Sequence, residues 1–181
     1  MTSLINQGKL APAPVCTNCT WRERIAQTAE LLAWGKKTSY STYHWDYSDT
    51  SKFKKWSNLK GAKPNPAYRK ATDALKPNHG FTNMYALGAD CGVFVGMVVR
   101  YSGFDRKSTF GCPTAGEYYA NSKNWKKVSS AKRGDVCLKS GCHTLIYLGN
   151  NTVAEANHFG QNFGHIASGN CKGYNVWRVD P

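Results

Sequence analysis

GADCGVFVGMVVRYSGFD, residues 88–105, is the stretch on which the reading of the whole chain turns. Asp90 suits a helix N-cap, because its carboxylate can accept from backbone N–H groups that the first turn leaves unpaired. Gly103 falls where a helix starting at Cys91 should stop, just after Arg100, Tyr101 and Ser102. That helix would hold the Cys91 thiol in its first turn, where the dipole and the unpaired N–H groups favour a thiolate. The apolar run behind it equally suits a buried core cysteine. Local sequence leaves both readings of Cys91 open, nucleophile or core thiol.

A nucleophilic thiol needs a base, and His143 is the distinctive histidine. It opens HTLIYLG, a strand on which His143, Leu145 and Tyr147 share one face. His44, His79, His158 and His165 lie in loop-like context. A third group commonly orients the imidazole. In TVAEAN, Glu155 and Asn157 point to one side of a second strand, and the turn Gly149-Asn150-Asn151 would return that strand beside His143. A carboxylate in an apolar strand calls for a partner, which His143 can supply.

Around this centre the chain reads as α+β, with helices first and an antiparallel sheet after. Thr20 and Glu23 form a capping box for a first helix, and Gly35 can end it. Ile25, Thr28, Ala29 and Leu32 make one face of that helix, expected to pack on the helix at Cys91. Asn65, Pro66 and Pro77 frame a short helix over 66–76, and Thr114 with Glu117 cap another before AGEYYAN. Strands are expected at 134–139, 142–149, 152–157 and 174–179, joined as a meander. Residues 1–19 read as an extended tail and 20–181 as a single domain. The lysine-rich segment 36–89 carries Tyr40, Tyr43, Trp45, Tyr47, Phe53 and Trp56, which could line a groove or form a satellite core.

Composition narrows the function classes. The 181 residues carry 24 Lys+Arg against 11 Asp+Glu, a formal +13, which favours polyanionic partners. No helix-turn-helix, zinc-finger or RNA-recognition pattern appears, so specific nucleic-acid binding is not expected. Mean hydropathy is −0.53 and the longest aliphatic run, near Val93–Val99, is too short to span a bilayer. The first residues lack the apolar core of a signal peptide, so export by another route or a trimmed mature segment is expected. Seven cysteines point to an oxidising compartment, and three disulfides would leave one thiol over.

The ordered motifs resemble a known family. Asp90-Cys91 with Phe94-Val95, then Gly134-Asp135-Val136, then His143 through Gly149 are similar to the helix start, Gly-Asp strand and histidine strand of NlpC-type cell-wall peptidases. These belong to a papain-like superfamily that includes the CHAP amidases. Glu155 falls at the third catalytic position, usually histidine in the NlpC type, and Glu155-Ala156-Asn157 resembles the Glu-x-Asn of CHAP domains. The resemblance covers about 20–160 and leaves 36–89 unmatched; Gly92 and Val93 stand where the family has Ser-Gly.

It implies a papain-like fold and a cysteine amidohydrolase acting on peptidoglycan, with Cys91 as nucleophile, His143 as base, and Glu155 and Asn157 orienting it. The backbone N–H of Cys91 would serve as oxyanion donor. The family places a tyrosine near the thiol; Tyr40, Tyr43 and Tyr85 are candidates, and Tyr43, Tyr85 and Asp90 are the expected substrate contacts. No metal or organic cofactor is implied. A monomer that meets the anionic wall through its basic surface, secreted or held in the envelope, is expected. The bond cut would be γ-D-glutamyl–diamino acid or muramoyl-alanine. A protease or antibacterial toxin, and a wall-binding module with an inactive site, are the alternatives.

Two cysteine pairs complete the reading. A two-residue turn at Lys139-Ser140 would set Cys137 opposite Cys142, in reach of a cross-strand disulfide. Cys16 and Cys19 could form a small disulfide, or half of a zinc site with Cys137 and Cys142.

Overall fold

The computed structural model describes residues 13–33, 70–71, 91–105, 107–108, 112–139, 141, 143–156 and 164–179. Among the described residues, three helices, α1 (Trp21–Leu32), α2 (Cys91–Tyr101) and α3 (Cys112–Asn121), precede six strands. These are β1 (Trp125–Val128), β2 (Val136–Lys139), β3 (His143–Gly149), β4 (Thr152–Glu155), β5 (His165–Ser168) and β6 (Asn175–Val179). All pair antiparallel in one sheet, in the order β1-β6-β2-β3-β4-β5. The class is α+β, as the order of the sequence patterns indicates. No helix among the described residues is long and apolar enough to cross a membrane.

Thr20 Oγ1 accepts the Glu23 N–H at 3.3 Å and starts α1. The Glu23 carboxylate turns to Arg133 instead of back to the cap: Arg133 Nε reaches Glu23 Oε2 at 2.9 Å, and its Nη2 reaches Glu30 Oε2 at 2.9 Å. The same guanidinium donates to the Leu148 carbonyl of β3 at 3.1 Å, so one side chain pins α1 to the sheet. Ile25, Thr28, Ala29 and Leu32 are all fully buried, and α1 packs on α2 as its apolar face predicts. Residues 13–19 hold no helix or strand, yet Ala13 and Val15 are buried. The buried Arg24 gathers the carbonyls of Ala13, Cys16 and Ser102, tying this segment to the end of α2.

Every residue of α2 from Gly92 to Tyr101 is buried. A helix apolar all round belongs inside, and α2 packs against α1, α3 and the β3–β4 part of the sheet. Gly103 ends it with φ +86°, the left-handed conformation a side chain would oppose. Just beyond, Asp105 accepts from Tyr118 of α3 at 2.6 Å and from Trp125 Nε1 of β1 at 3.0 Å. These bonds fasten α3 near the end of α2. Cys112 begins α3, so Thr114 lies inside the first turn and does not cap it. Pro113 at the second position, where no intrahelical N–H is needed, explains the earlier start. Of the helix expected over 66–76, Lys70 and Ala71 are helical and the rest lies outside the described residues.

The sheet alternates as period two requires. Val136, Leu138, Ile146, Leu148, Ala154 and Ile166 join the helices in the main core. Cys137, Leu145, Val153 and Val176 form a smaller cluster, bordered by Tyr147 and Tyr174. The four expected strands are present within two residues, and β2 to β5 run as a meander. β6 departs from it, inserting between β1 and β2. β1 and β5 were not expected.

The disulfide expectation for Cys137 and Cys142 is overturned. Lys139 pairs with His143, leaving a three-residue connection, so Cys137 stands opposite Leu145. Its partner is Cys171, which the neighbouring β6 side brings up to it. Cys16 and Cys19 form a second disulfide. A zinc site on Cys16, Cys19, Cys137 and Cys142 would need three sulfurs that are already oxidised, while Cys142 lies outside the described residues.

Candidate active site

The first residue of α2 and the first of β3 meet at the centre of the site. His143 Nε2 lies 2.6 Å from Glu155 Oε2, and His143 acts on the Cys91 sulfur to favour its thiolate. With Nε2 on the carboxylate, Nδ1 is the ring nitrogen left to serve a thiol. Glu155 stands opposite Leu145 in register, one diagonal step from His143, a spacing that long side chains bridge. The turn that returns β4 uses Asn150 and Asn151 at φ 49° and 52°, conformations asparagine tolerates. His143 and Glu155 side chains are 19% and 18% exposed, shielded from bulk water yet open to a ligand.

Two further groups act on the sulfur, and neither was anticipated. The Cys112 thiol at the start of α3 favours the Cys91 thiolate, and so does the backbone N–H of Thr144. Together with the positive His143 they draw the Cys91 pKa down to about 4, Cys112 contributing most and burial opposing. His143 is pushed up to about 9, first by Cys91 and then by Glu155, again against burial. The bond to His143 likewise holds the Glu155 carboxyl below its ordinary range. At neutral pH the pair is thus thiolate and imidazolium, titrating as a unit.

A second histidine also stands on the carboxylate. His165, opposite Glu155 in the β4–β5 ladder, places Nε2 3.9 Å from Glu155 Oε1 and is buried. The loop-like reading of His165 is corrected: it begins β5. Gly164 allows this, because a Cβ there would lie 2.0 Å from the Phe94 ring of α2. The backbone entering β5 therefore rests directly on the helix that carries Cys91.

Of the residues expected to form the site, Cys91, His143 and Glu155 come together. Asp90, Asn157, Tyr43, Tyr85 and Cys142 lie outside the described residues. Among the described residues, no group of three or more His, Cys, Asp or Glu is placed to hold a metal ion. No family model, curated protein or solved structure matches the chain. The function must be argued from chemistry. A thiolate at a helix start, beside an imidazolium that a carboxylate orients, is suited to attack a carbonyl and then protonate a leaving group. Cys112 carried one readable signal, the proline that follows it and marks a helix start. The Thr144 amide carried none, since any residue but proline there has it.

Proposed function

We propose that this protein is a papain-like cysteine hydrolase of the NlpC/CHAP type, cutting peptide or amide bonds of peptidoglycan. The observation that carries this reading is the His143–Glu155 bond at 2.6 Å, together with a reduced Cys91 at the first position of α2 whose thiolate His143 favours. The order of motifs along the chain supports the family, and the +13 charge supports an anionic wall as the setting. The two disulfides suit secretion or residence in the envelope.

In this reading the Cys91 thiolate attacks the scissile carbonyl carbon. The negative charge that develops on its oxygen is stabilised by backbone N–H at the start of α2, where the helix dipole adds to the effect. His143 Nδ1 then gives its proton to the departing amine, leaving an acyl-enzyme on sulfur. Neutral His143 next takes a proton from water, which attacks the thioester and frees Cys91. Glu155 keeps the ring oriented through Nε2 and stabilises the imidazolium at each stage.

The test is digestion of purified sacculi and defined muropeptides with wild type and Cys91→Ala, read by product mass. Cleavage between D-glutamate and the diamino acid, abolished in the variant, is expected. Release of whole stem peptides would instead assign a muramoyl-alanine amidase. Equal products from both proteins would overturn the nucleophile, and intact sacculi beside degraded proteins would point to a protease or toxin.

A further inference from the structure

The carboxylate that orients His143 has two oxygens, and the mechanism above uses one of them. His143 Nε2 takes Glu155 Oε2 at 2.6 Å. Glu155 Oε1 faces His165 Nε2 at 3.9 Å, a charge contact longer than a hydrogen bond. His165 is 5% exposed, and burying an imidazole costs free energy unless its nitrogens are used. The fold fixes where this ring stands. β4 and β5 pair from Thr152 with Ser168 to Glu155 with His165, so the two side chains are set directly opposite one another. Gly164 seats the entry of β5 on the Phe94 ring, with no room for a side chain. Phe94 lies about one turn beyond Cys91 in α2, so the position of His165 is indexed to the helix that carries the nucleophile.

We propose that His165 is a positioning residue: it carries a proton on Nε2 and restrains the second oxygen of Glu155, so that the carboxylate keeps its aim on His143. This rests on the reading of Cys91, His143 and Glu155 as the working site, and it holds for whichever amide bond is cut. A carboxylate bonded through one oxygen can still turn about its last side-chain torsion, which is broad. A donor facing the other oxygen limits that turn, and closing by about 1 Å makes the contact a hydrogen bond. The restraint matters most once His143 has protonated the leaving amine. His143 is then neutral and its attraction for Glu155 is weakest, while the His165 N–H still faces Oε1. The bond to His143 does most to keep Glu155 ionised, and His165 adds to it. No bond to His165 forms or breaks in the reaction; its influence passes through Glu155.

The experiment compares the full chain with His165→Phe and His165→Gln. Phenylalanine keeps the buried bulk and removes the N–H; glutamine returns an N–H near the place of Nε2. On defined muropeptides, His165→Phe should lose about 10–100-fold in kcat with KM within about twofold, and His165→Gln should recover most of that loss. In a Glu155→Gln background, His165→Phe should cost less than about twofold more, because the carboxylate it acts through is gone. Proton NMR supplies a readout free of turnover. The His143 Nε2–H resonance, drawn downfield by Glu155, should move upfield in His165→Phe and hold in His165→Gln. Should His165→Phe fail to fold, nitrogen-15 spectra of the wild-type imidazoles decide, with His165 protonated on Nε2 expected. A bare Nε2 on His165, equal losses in the Phe and Gln variants, or a full additional loss in the Glu155→Gln background would overturn the proposal. The NMR shift in a protein that cuts no peptidoglycan would sink the proposed function alone; peptidoglycan cleavage with kcat unchanged in His165→Phe would sink this inference alone.

Discussion

Arg133 with Glu23 and Glu30, and His143 with Glu155 beside Cys91, are both half-buried clusters of hydrogen-bonded charge, the first on α1 and the turn before β2, the second on α2, β3 and β4. They differ in what their protons can do. Arg133 is held still further above its ordinary range by its hydrogen bonds to the two carboxylates, so its guanidinium stays charged at any pH the fold survives. Cys91 and His143 instead titrate near 4 and 9, close enough to neutrality for a proton to pass between them during a reaction. One cluster is a fastening and the other a proton-transfer device. Their charge and burial are similar; the identity of the cation separates them.

The comparison breaks most sharply at His143. His143→Ala should lower kcat/KM on muropeptides by about 10⁴-fold or more while thermal unfolding changes little, as loss of the base does in catalytic triads. A fall under tenfold would place the base elsewhere. Glu155→Gln keeps the shape but removes the charge. It should cost about 10²–10⁴-fold in kcat with KM nearly unchanged, and it should bring the His143 pKa down from about 9, read by NMR titration.

The pH profile sharpens the contrast further. Below about 4 the Cys91 sulfur takes a proton, and above about 9 His143 loses the one it must donate. The kcat/KM profile should therefore be bell-shaped, falling about tenfold per pH unit beyond each limb. Alkylation of Cys91 should stay fast at pH 5–6, where an ordinary thiol near 8.5 would already be about a hundredfold or more slower. Smallest in activity is Arg133→Met. It should cost about 1–3 kcal/mol of stability by denaturant unfolding and leave kcat within about twofold below the melting temperature. A large loss of kcat there would mean that the fastening also positions the site.

The half of the site that depends on local pattern was legible. Gly103 fixes the end of α2, placing Cys91 at its start, and the Asn150-Asn151 turn brings Glu155 back to His143. Class and strand positions followed from alternation for the same reason. What escaped depends on pairings between distant segments. Cys137 was matched to Cys142 on the assumption of a two-residue turn, whereas its partner arrives with β6, whose place between β1 and β2 no local signal announces. His165 looked like a loop residue because four residues of strand give little periodicity, and its burial comes from β4 and the Phe94 helix. Cys112 could be placed at a helix start, but only the fold brings that start to Cys91.

The position of β6 also sets an order of assembly. Strands β2 to β5 are consecutive, so the hairpins bearing His143 and Glu155 can pair as soon as they leave the ribosome. β1 is made earlier than all of them, yet its ladder is with β6, made last. Until Cys171 arrives, Cys137 has no partner to oxidise with, and until Asn175–Val179 follows, β1 has no strand to join. The reactive hairpin can thus exist on a nascent chain whose sheet is still open, and the late disulfide closes it.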